Sequence, residues 1–190
     1  MDILVEPDFV PPTQCAHLIA EFRRVSDLDA GSRKTTIRTE LPAVALRRHG
    51  CLDLDPVRDR VLARLGWFYR VSGSLYLEYT LLSEMRAGDR HVLHADSERL
   101  DNGVWTPNHT PFRSHAAMLY LNTSGPAGDY RGGLLRFPGM GREISPTAGT
   151  LVGFTSGRAH QHEVTTVRDG IRYAVAFWLT PHRTHEEHWS

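Results

Sequence analysis

Two hydrophobic periods divide this chain. Up to residue 73 the apolar residues recur every three to four positions. In the segment 7 to 28, PDFVPPTQCAHLIAEFRRVSDL, Pro11 and Pro12 stop any preceding strand, Thr13 is a good N-cap, and Cys15, Leu18, Ile19 and Phe22 share one helical face. In 55 to 73, DPVRDRVLARLGWFYRVSG, Asp55 stands as cap before Pro56 at the first helical position, and Val57, Val61, Leu62, Leu65 and Phe68 form a second apolar stripe. The run Trp67, Phe68, Tyr69 predicts helix-to-sheet packing, and a short strand is expected around Lys34 to Thr39.

From residue 74 the period falls to two. SLYLEYTLLSEM alternates before Gly88, and HAAMLYLN (115 to 122), GGLLRF (132 to 137), GTLVGF (149 to 154), HQHEVTTV (160 to 167) and IRYAVAFWLT (171 to 180) follow, punctuated by Gly, Pro, Asn and Asp. That many short strands predict a sandwich or barrel. The expected architecture is mainly β with flanking helices: one domain over 1 to 190, with two amino-terminal helices in 1 to 73, an all-β core in 74 to 180 and a tail in 181 to 190. No internal repeat, heptad or low-complexity tract is present. The segment 97 to 113, SERLDNGVWTPNHTPFR, shows no clear period and is expected as a long loop. Loops of that length inside compact domains usually bind or cover something, which makes Arg99, Trp105, Asn108, His109 and Arg113 candidate lid or substrate contacts, against the plainer alternative of an irregular excursion around a buried Trp105.

Composition narrows the function classes. Acidic and basic residues balance at 22 each, which gives no electrostatic reason to expect nucleic acid or an anionic membrane as partner. The chain never sustains the roughly 18 apolar residues of a membrane span, and its opening lacks the basic-then-apolar run of a signal peptide, so a cytoplasmic location is expected. Cys15 and Cys51 match no zinc or redox spacing and are expected as reduced thiols. Lys34 is the only lysine, so recognition of a carboxylate falls to arginine.

The candidate chemistry starts at HADSERL. His94 and Asp96 are two apart, and in an extended segment their side chains leave on the same side. A mononuclear iron(II) oxygenase needs two imidazoles and one carboxylate on one face of an octahedron, with the other positions open. Among eleven histidines, His160 and His162 are rival third donors, two apart on one expected strand. Arg172 follows ten residues after His162 across an Asp-Gly turn, which predicts a hairpin that brings the two strands side by side. Its planar fork suits a dicarboxylate that chelates the metal at its other end. The tail histidines His182, His185 and His188 are spaced three apart, but a tail this polar is expected to be solvated or disordered.

Taken in order, HAD, YLN (120 to 122), GGLLRF, PTAGTLVGF, HEV, GIR and YAVAFW resemble the catalytic domain of iron(II)- and 2-oxoglutarate-dependent dioxygenases of the prolyl 4-hydroxylase type. DFVPPTQCAHLIAEF resembles the opening helix of that superfamily, so the likeness covers most of the chain, and the spacing of RSHAAMLYLN, GFTSG and GIRYAVAFWLT is most similar to the leprecan-like prolyl 3-hydroxylase branch. The resemblance implies a double-stranded β-helix (jelly-roll, cupin-like) core, with iron(II) held at the catalytic centre by His94, Asp96 and His162. It also implies Arg172 on the far carboxylate of 2-oxoglutarate and Tyr120 donating its hydroxyl to the same group; read from its strand alone, Tyr120 is simply a core tyrosine. O2 is the implied co-oxidant, succinate and CO2 the products and ascorbate a stimulant. Retention of Asp96 favours hydroxylation over halogenation. The chain departs from the family at Met85 and His91, where aromatic residues are common.

The expected activity is hydroxylation of an unactivated C–H bond in a small molecule, an amino acid or biosynthetic intermediate, a substrate class motivated by the short chain. Peptidyl-proline hydroxylation, an iron oxygenase that does not use 2-oxoglutarate, and a metal-bound sensor or binding module are the alternatives. The expected state is a monomer or homodimer.

Overall fold

A computed structural model describes residues 2–189. In chain order the elements are β1 (Leu4–Glu6), α1 (Pro12–Ser26), β2 (Arg33–Lys34), β3 (Arg38–Pro42), α2 (Val44–Arg48), α3 (Asp55–Phe68), β4 (Tyr76–Arg86), β5 (His91–His94), β6 (Glu98–Asp101), β7 (Val104–Pro107), β8 (His115–Tyr120), β9 (Tyr130–Gly132), β10 (Leu135–Phe137), β11 (Arg142–Ile144), β12 (Leu151–Thr155), β13 (His162–Val164) and β14 (Val167–Thr180). The change of period at residue 74 marks the change from helix-rich to strand-rich chain.

Both long helices begin earlier than their sequence signals suggest, α1 by two residues and α3 by one. α1 starts on Pro12 with Pro11 as N-cap, and Thr13 makes no capping bond. Proline fits the first helical turn because its φ is already helical and its missing N–H would have had no partner there. α3 starts on Asp55 itself, where the carboxylate faces the positive end of the helix dipole, and it ends at Phe68 rather than 73. Between them lies α2, a five-residue helix too short to show a period in the sequence. The strand expected near Lys34 to Thr39 is a hairpin of β2 and β3.

The strands form two antiparallel sheets and a separate hairpin. The major sheet runs β1-β12-β8-β14-β4-β3-β2, with β9 pairing the start of β14; the minor sheet runs β11-β10-β13-β5. One face of the major sheet packs on the helices through Tyr173, Val175, Phe177 and Leu179 of β14, against Leu18, Phe22, Val61 and Leu65. Each large apolar side chain fully buried there contributes about 1.5–3 kcal/mol. The other face meets the minor sheet in a second apolar cluster that includes Tyr120, Phe137, Val152, Phe154 and Ala174.

Three further expectations are corrected. The segment 97 to 113 is not a structureless loop: β6 and β7 form a hairpin with Asp101 opposite Val104, turned by Asn102 and Gly103 at φ 48° and 80°. Both positive φ values match the two-residue turn that Asn-Gly favours, so the signal was present in the sequence. Nor does Asp169-Gly170 make a hairpin turn between β13 and β14. Those strands lie in different sheets, and Gly170 (φ 72°) sits within β14 opposite Tyr130, where a Cβ would come within 2.2 Å of the Asp129 carbonyl. The glycine is required by close approach of β9 rather than by a reversal. Finally, the tail is docked: Glu187 is buried against Arg58 at 2.5 Å and Thr80, while Trp189 lies under the Arg58 guanidinium and donates to Asp55 at 3.0 Å.

Candidate metal and co-substrate site

The minor sheet places two of the predicted donors in register. β5 and β13 are antiparallel neighbours with His94 directly opposite His162, and the two rings stand 4.4 Å apart. Asp96 follows two residues after His94, in a bend held by its own backbone. Its carbonyl accepts from Asn108 Nδ2 at 3.0 Å and Thr110 Oγ1 at 2.8 Å, and the next residue, Ser97, donates its N–H to Ser156 at 3.0 Å. The carboxylate points back toward the sheet, with Oδ1 3.7 Å from His94 Nε2 and accepting from the Trp178 indole at 2.9 Å. The ligand atoms of His94, Asp96 and His162 lie within 4.8 Å of one another.

The hydrogen bonds around this cluster leave its inner atoms free. His94 donates Nδ1–H to the Val92 carbonyl at 2.9 Å and His162 donates Nδ1–H to the His160 carbonyl at 3.0 Å, so each imidazole keeps its Nε2 lone pair. This is the backbone support that metal-ligating histidines use to fix tautomer and ring orientation. Asp96 Oδ2 is buried and has no hydrogen-bond partner, and an orphan of this kind costs about 1–3 kcal/mol or more unless something meets it. Burial drives the His162 pKa down to about 4, so the ring is neutral. Burial also opposes ionisation of Asp96, but His94, His162 and Trp178 outweigh it and hold the carboxyl below its usual range. For His94, burial lowers the pKa and the nearby Asp96 more than restores it. Two imidazoles and a carboxylate suit a borderline divalent ion.

A cavity of about 100 Å³ extends from this cluster to Arg172, and its walls are mainly apolar. Arg172 reaches it from the major sheet. It is 1% exposed, gives Nε–H to the Gly133 carbonyl at 3.1 Å and approaches the Met85 sulfur at 3.4 Å, leaving Nη2 buried without a partner. The guanidinium lies 5.1 Å from the Tyr120 ring centre. The hydroxyls of Tyr120 and Tyr130 are also buried and unpartnered, and each is close enough to Arg172 to feel its charge. Burial raises both phenol pKa values, so both stay protonated as donors. One unpartnered guanidinium nitrogen and two unpartnered phenol hydroxyls form a site for an anion.

The remaining predicted residues are placed as follows. His160 is buried and turns to Thr155, with Nδ1 at 2.6 Å from its hydroxyl, outside the donor cluster. Arg99 pairs with Asp101 at 2.6 Å, Arg113 pairs with Glu78 at 2.7 Å and covers the Trp178 ring, Asn108 braces Asp96, His109 is exposed and Trp105 sits half-buried on β7. None of these five lines the cavity. Asn122 bridges the Ile171 carbonyl and the Tyr173 N–H, pinning β14. Among the described residues the tail histidines belong to no group able to hold a metal. Residues not singled out from the sequence are Tyr130, Trp178, Ser83 and Glu40. Trp178 had a signal, since it lies six residues after Arg172 on the same face of one strand. Tyr130 had none, because its place depends on how β9 meets β14.

Comparison with known proteins agrees with this geometry. Residues 80–180 match the family model for the 2OG-Fe(II) oxygenase superfamily. Chicken (Gallus gallus) prolyl 3-hydroxylase 1 is 30% identical over 173 residues, covering 78% of this chain but only 23% of the relative. The viral collagen prolyl hydroxylase of Paramecium Bursaria Chlorella virus-1, in complex with 2-oxoglutarate, superposes with a TM-score of 0.68 at 17% identity over 94% of each chain. HygX from Streptomyces hygroscopicus, with nickel, 2-oxoglutarate and hygromycin B bound, superposes with a TM-score of 0.67 at 16% identity over 95% of this chain and 83% of its own.

Proposed function

The chain belongs to the 2OG-Fe(II) oxygenase superfamily, and from that premise we propose that it hydroxylates a proline residue within a peptide. His94, Asp96 and His162 hold the ferrous ion, and Arg172 with Tyr120 and Tyr130 holds the far carboxylate of 2-oxoglutarate. The two sheets correspond to a double-stranded β-helix, and the observation that carries the reading is the pairing of orphans across its cavity: an unpartnered carboxylate oxygen on Asp96 at one end and an unpartnered Arg172 nitrogen at the other, with the unpartnered Tyr120 and Tyr130 hydroxyls beside that arginine. A metal-chelating dicarboxylate satisfies both sets at once.

When bound, iron would supply the oxidising chemistry with 2-oxoglutarate and O2, one oxygen atom of O2 ending in succinate as CO2 leaves and the other in the C–H bond. The protein's part is placement. Val92 and His160 carbonyls fix the two imidazoles, Trp178 fixes the rotamer of Asp96, and Phe154, 4.5 Å from the His162 ring, keeps water from its outer face. The low pKa of His162 keeps its lone pair available at neutral pH. Met85 fills the position beside Arg172 where an aromatic residue is common in the family, contributing a soft contact in place of a donor.

The peptide reading replaces the small-molecule expectation because the curated relatives are prolyl 3-hydroxylases. Exposed Val92 and Leu93 on β5, with Leu100 and Val104 on the β6–β7 hairpin, add apolar surface near the metal ligands for an extended partner. A small-molecule substrate is the second reading, favoured by the likeness to HygX with its bound hygromycin B. The test is succinate release with iron(II), 2-oxoglutarate and ascorbate, followed by mass spectrometry of proline-rich peptides. A peptide gaining one oxygen atom is the expected result. Succinate release without oxidation of any such peptide moves the assignment to the second reading, and no succinate under any condition leaves a binding module.

A further inference from the structure

Behind the major sheet, on the side away from the cavity, α1 and the loop joining α2 to α3 bring together three donors that the oxygenase reading does not use. His17 Nε2 lies 3.1 Å from Asp53 Oδ2, and the Cys51 thiol donates to that same oxygen at 3.5 Å. All three ligand atoms lie within 4.8 Å of one another. With nitrogen and oxygen at about 2.0–2.2 Å from zinc and sulfur at about 2.3 Å, the edges of a tetrahedral site measure roughly 3.3–3.6 Å. Two of the three edges are therefore nearly in place, and a small swing of His17, whose side chain is half exposed, closes the third.

We propose that His17, Cys51 and Asp53 form a second metal site, selective for zinc, that clamps α1 to the α2–α3 loop. The donor set argues for this ion: one sulfur, one imidazole and one carboxylate disfavour magnesium and calcium, which take oxygen, and differ from the sulfur-free cluster at His94. Solvent reaches His17 and Asp53, while Cys51 is 5% exposed, so an ion enters from the surface and comes to rest on a buried sulfur. Glu21 stands one helical turn beyond His17, within electrostatic range of His17 and Asp53, and is held by Arg24 at 2.6 Å. Its carboxylate, released from Arg24, or a water completes the fourth position. The ordinary alternative is a surface His–Asp pair, worth about 0–1 kcal/mol, which gives no reason for a buried thiol to turn onto the same carboxylate oxygen. On metal binding the thiol proton leaves to solvent and the thiolate becomes the ligand.

The test is cobalt(II) and zinc titration of the full chain. The wild type is expected to take up two metal equivalents per chain, one of which gives the thiolate-to-cobalt charge-transfer absorption in the near ultraviolet. Cys51→Ser should lose that absorption and one equivalent of zinc while the His94 site still fills. Because Cys51 is buried, His17→Ala serves as the second variant: it leaves the thiol and the packing intact and should weaken zinc at this site by about tenfold or more, read by competition with a chromophoric chelator. Two bound equivalents of cobalt without a thiolate band, or unchanged zinc binding in both variants, would overturn the proposal. Both outcomes are independent of whether the chain turns over 2-oxoglutarate.

Discussion

The two faces of β14 carry different tasks on one strand. Tyr173, Val175, Phe177 and Leu179 face the helices in a continuous apolar layer. Of these four residues Tyr173 carries the polar group, a hydroxyl that donates to Glu84 at 2.6 Å and accepts from Arg23 at 3.0 Å. Alternate residues Arg172, Ala176 and Trp178 face the cavity, where Arg172 keeps an unpartnered nitrogen. The helix face is complete in itself, whereas the cavity face is complete only with a ligand. A sheet with period-two side chains can therefore hold its stability on one face and leave the other unsatisfied for chemistry.

That contrast can be broken most severely at the metal cluster. His162→Ala should abolish iron retention, measured by metal analysis after desalting, with the fold intact by circular dichroism. His160→Ala should keep iron yet cost about 1–3 kcal/mol of stability, because it strands the Thr155 groups that His160 now satisfies; the reverse pattern would reassign the ligand. On the helix face, Phe177→Ala should cost about 3–5 kcal/mol in denaturant unfolding and leave the iron affinity of the folded protein unchanged. If iron affinity falls in step with stability, the two faces are not independent. The smallest effect should come from Tyr130→Phe, which removes one hydroxyl. Binding of 2-oxoglutarate to the nickel-loaded protein, followed by calorimetry, should weaken about tenfold. Binding of a 2-oxo acid without the distal carboxylate should not change, and equal weakening of both acids would give Tyr130 a packing role only.

How far the sequence could be read depended on the range of the interaction. The helices α1 and α3 and the long strands were legible because each buries one regular face. The β6–β7 hairpin carried an Asn-Gly turn signal, but its flanks show no clear period and the segment reads as a loop. Asp-Gly at 169 and 170 carried the same kind of signal and meant something else, because the approach of β9 rather than the dipeptide sets the backbone there. α2 was too short to show a pattern.

The order of motifs along the chain determined by itself the period change at residue 74, the pairing of His94 with Asp96 on one extended segment, and the likeness to a family of iron oxygenases. Those features are local, or are linear series that need no folding to be seen. The same series of motifs pointed to His162 rather than His160 as the third donor, and only the tertiary structure decided that the three donors lie within reach of one another, that Tyr130 stands beside Arg172, and that Cys51 meets His17 and Asp53. Each of these depends on which strands and helices become neighbours across long stretches of chain, and that choice is made by the packing of whole faces rather than by the residues at the site.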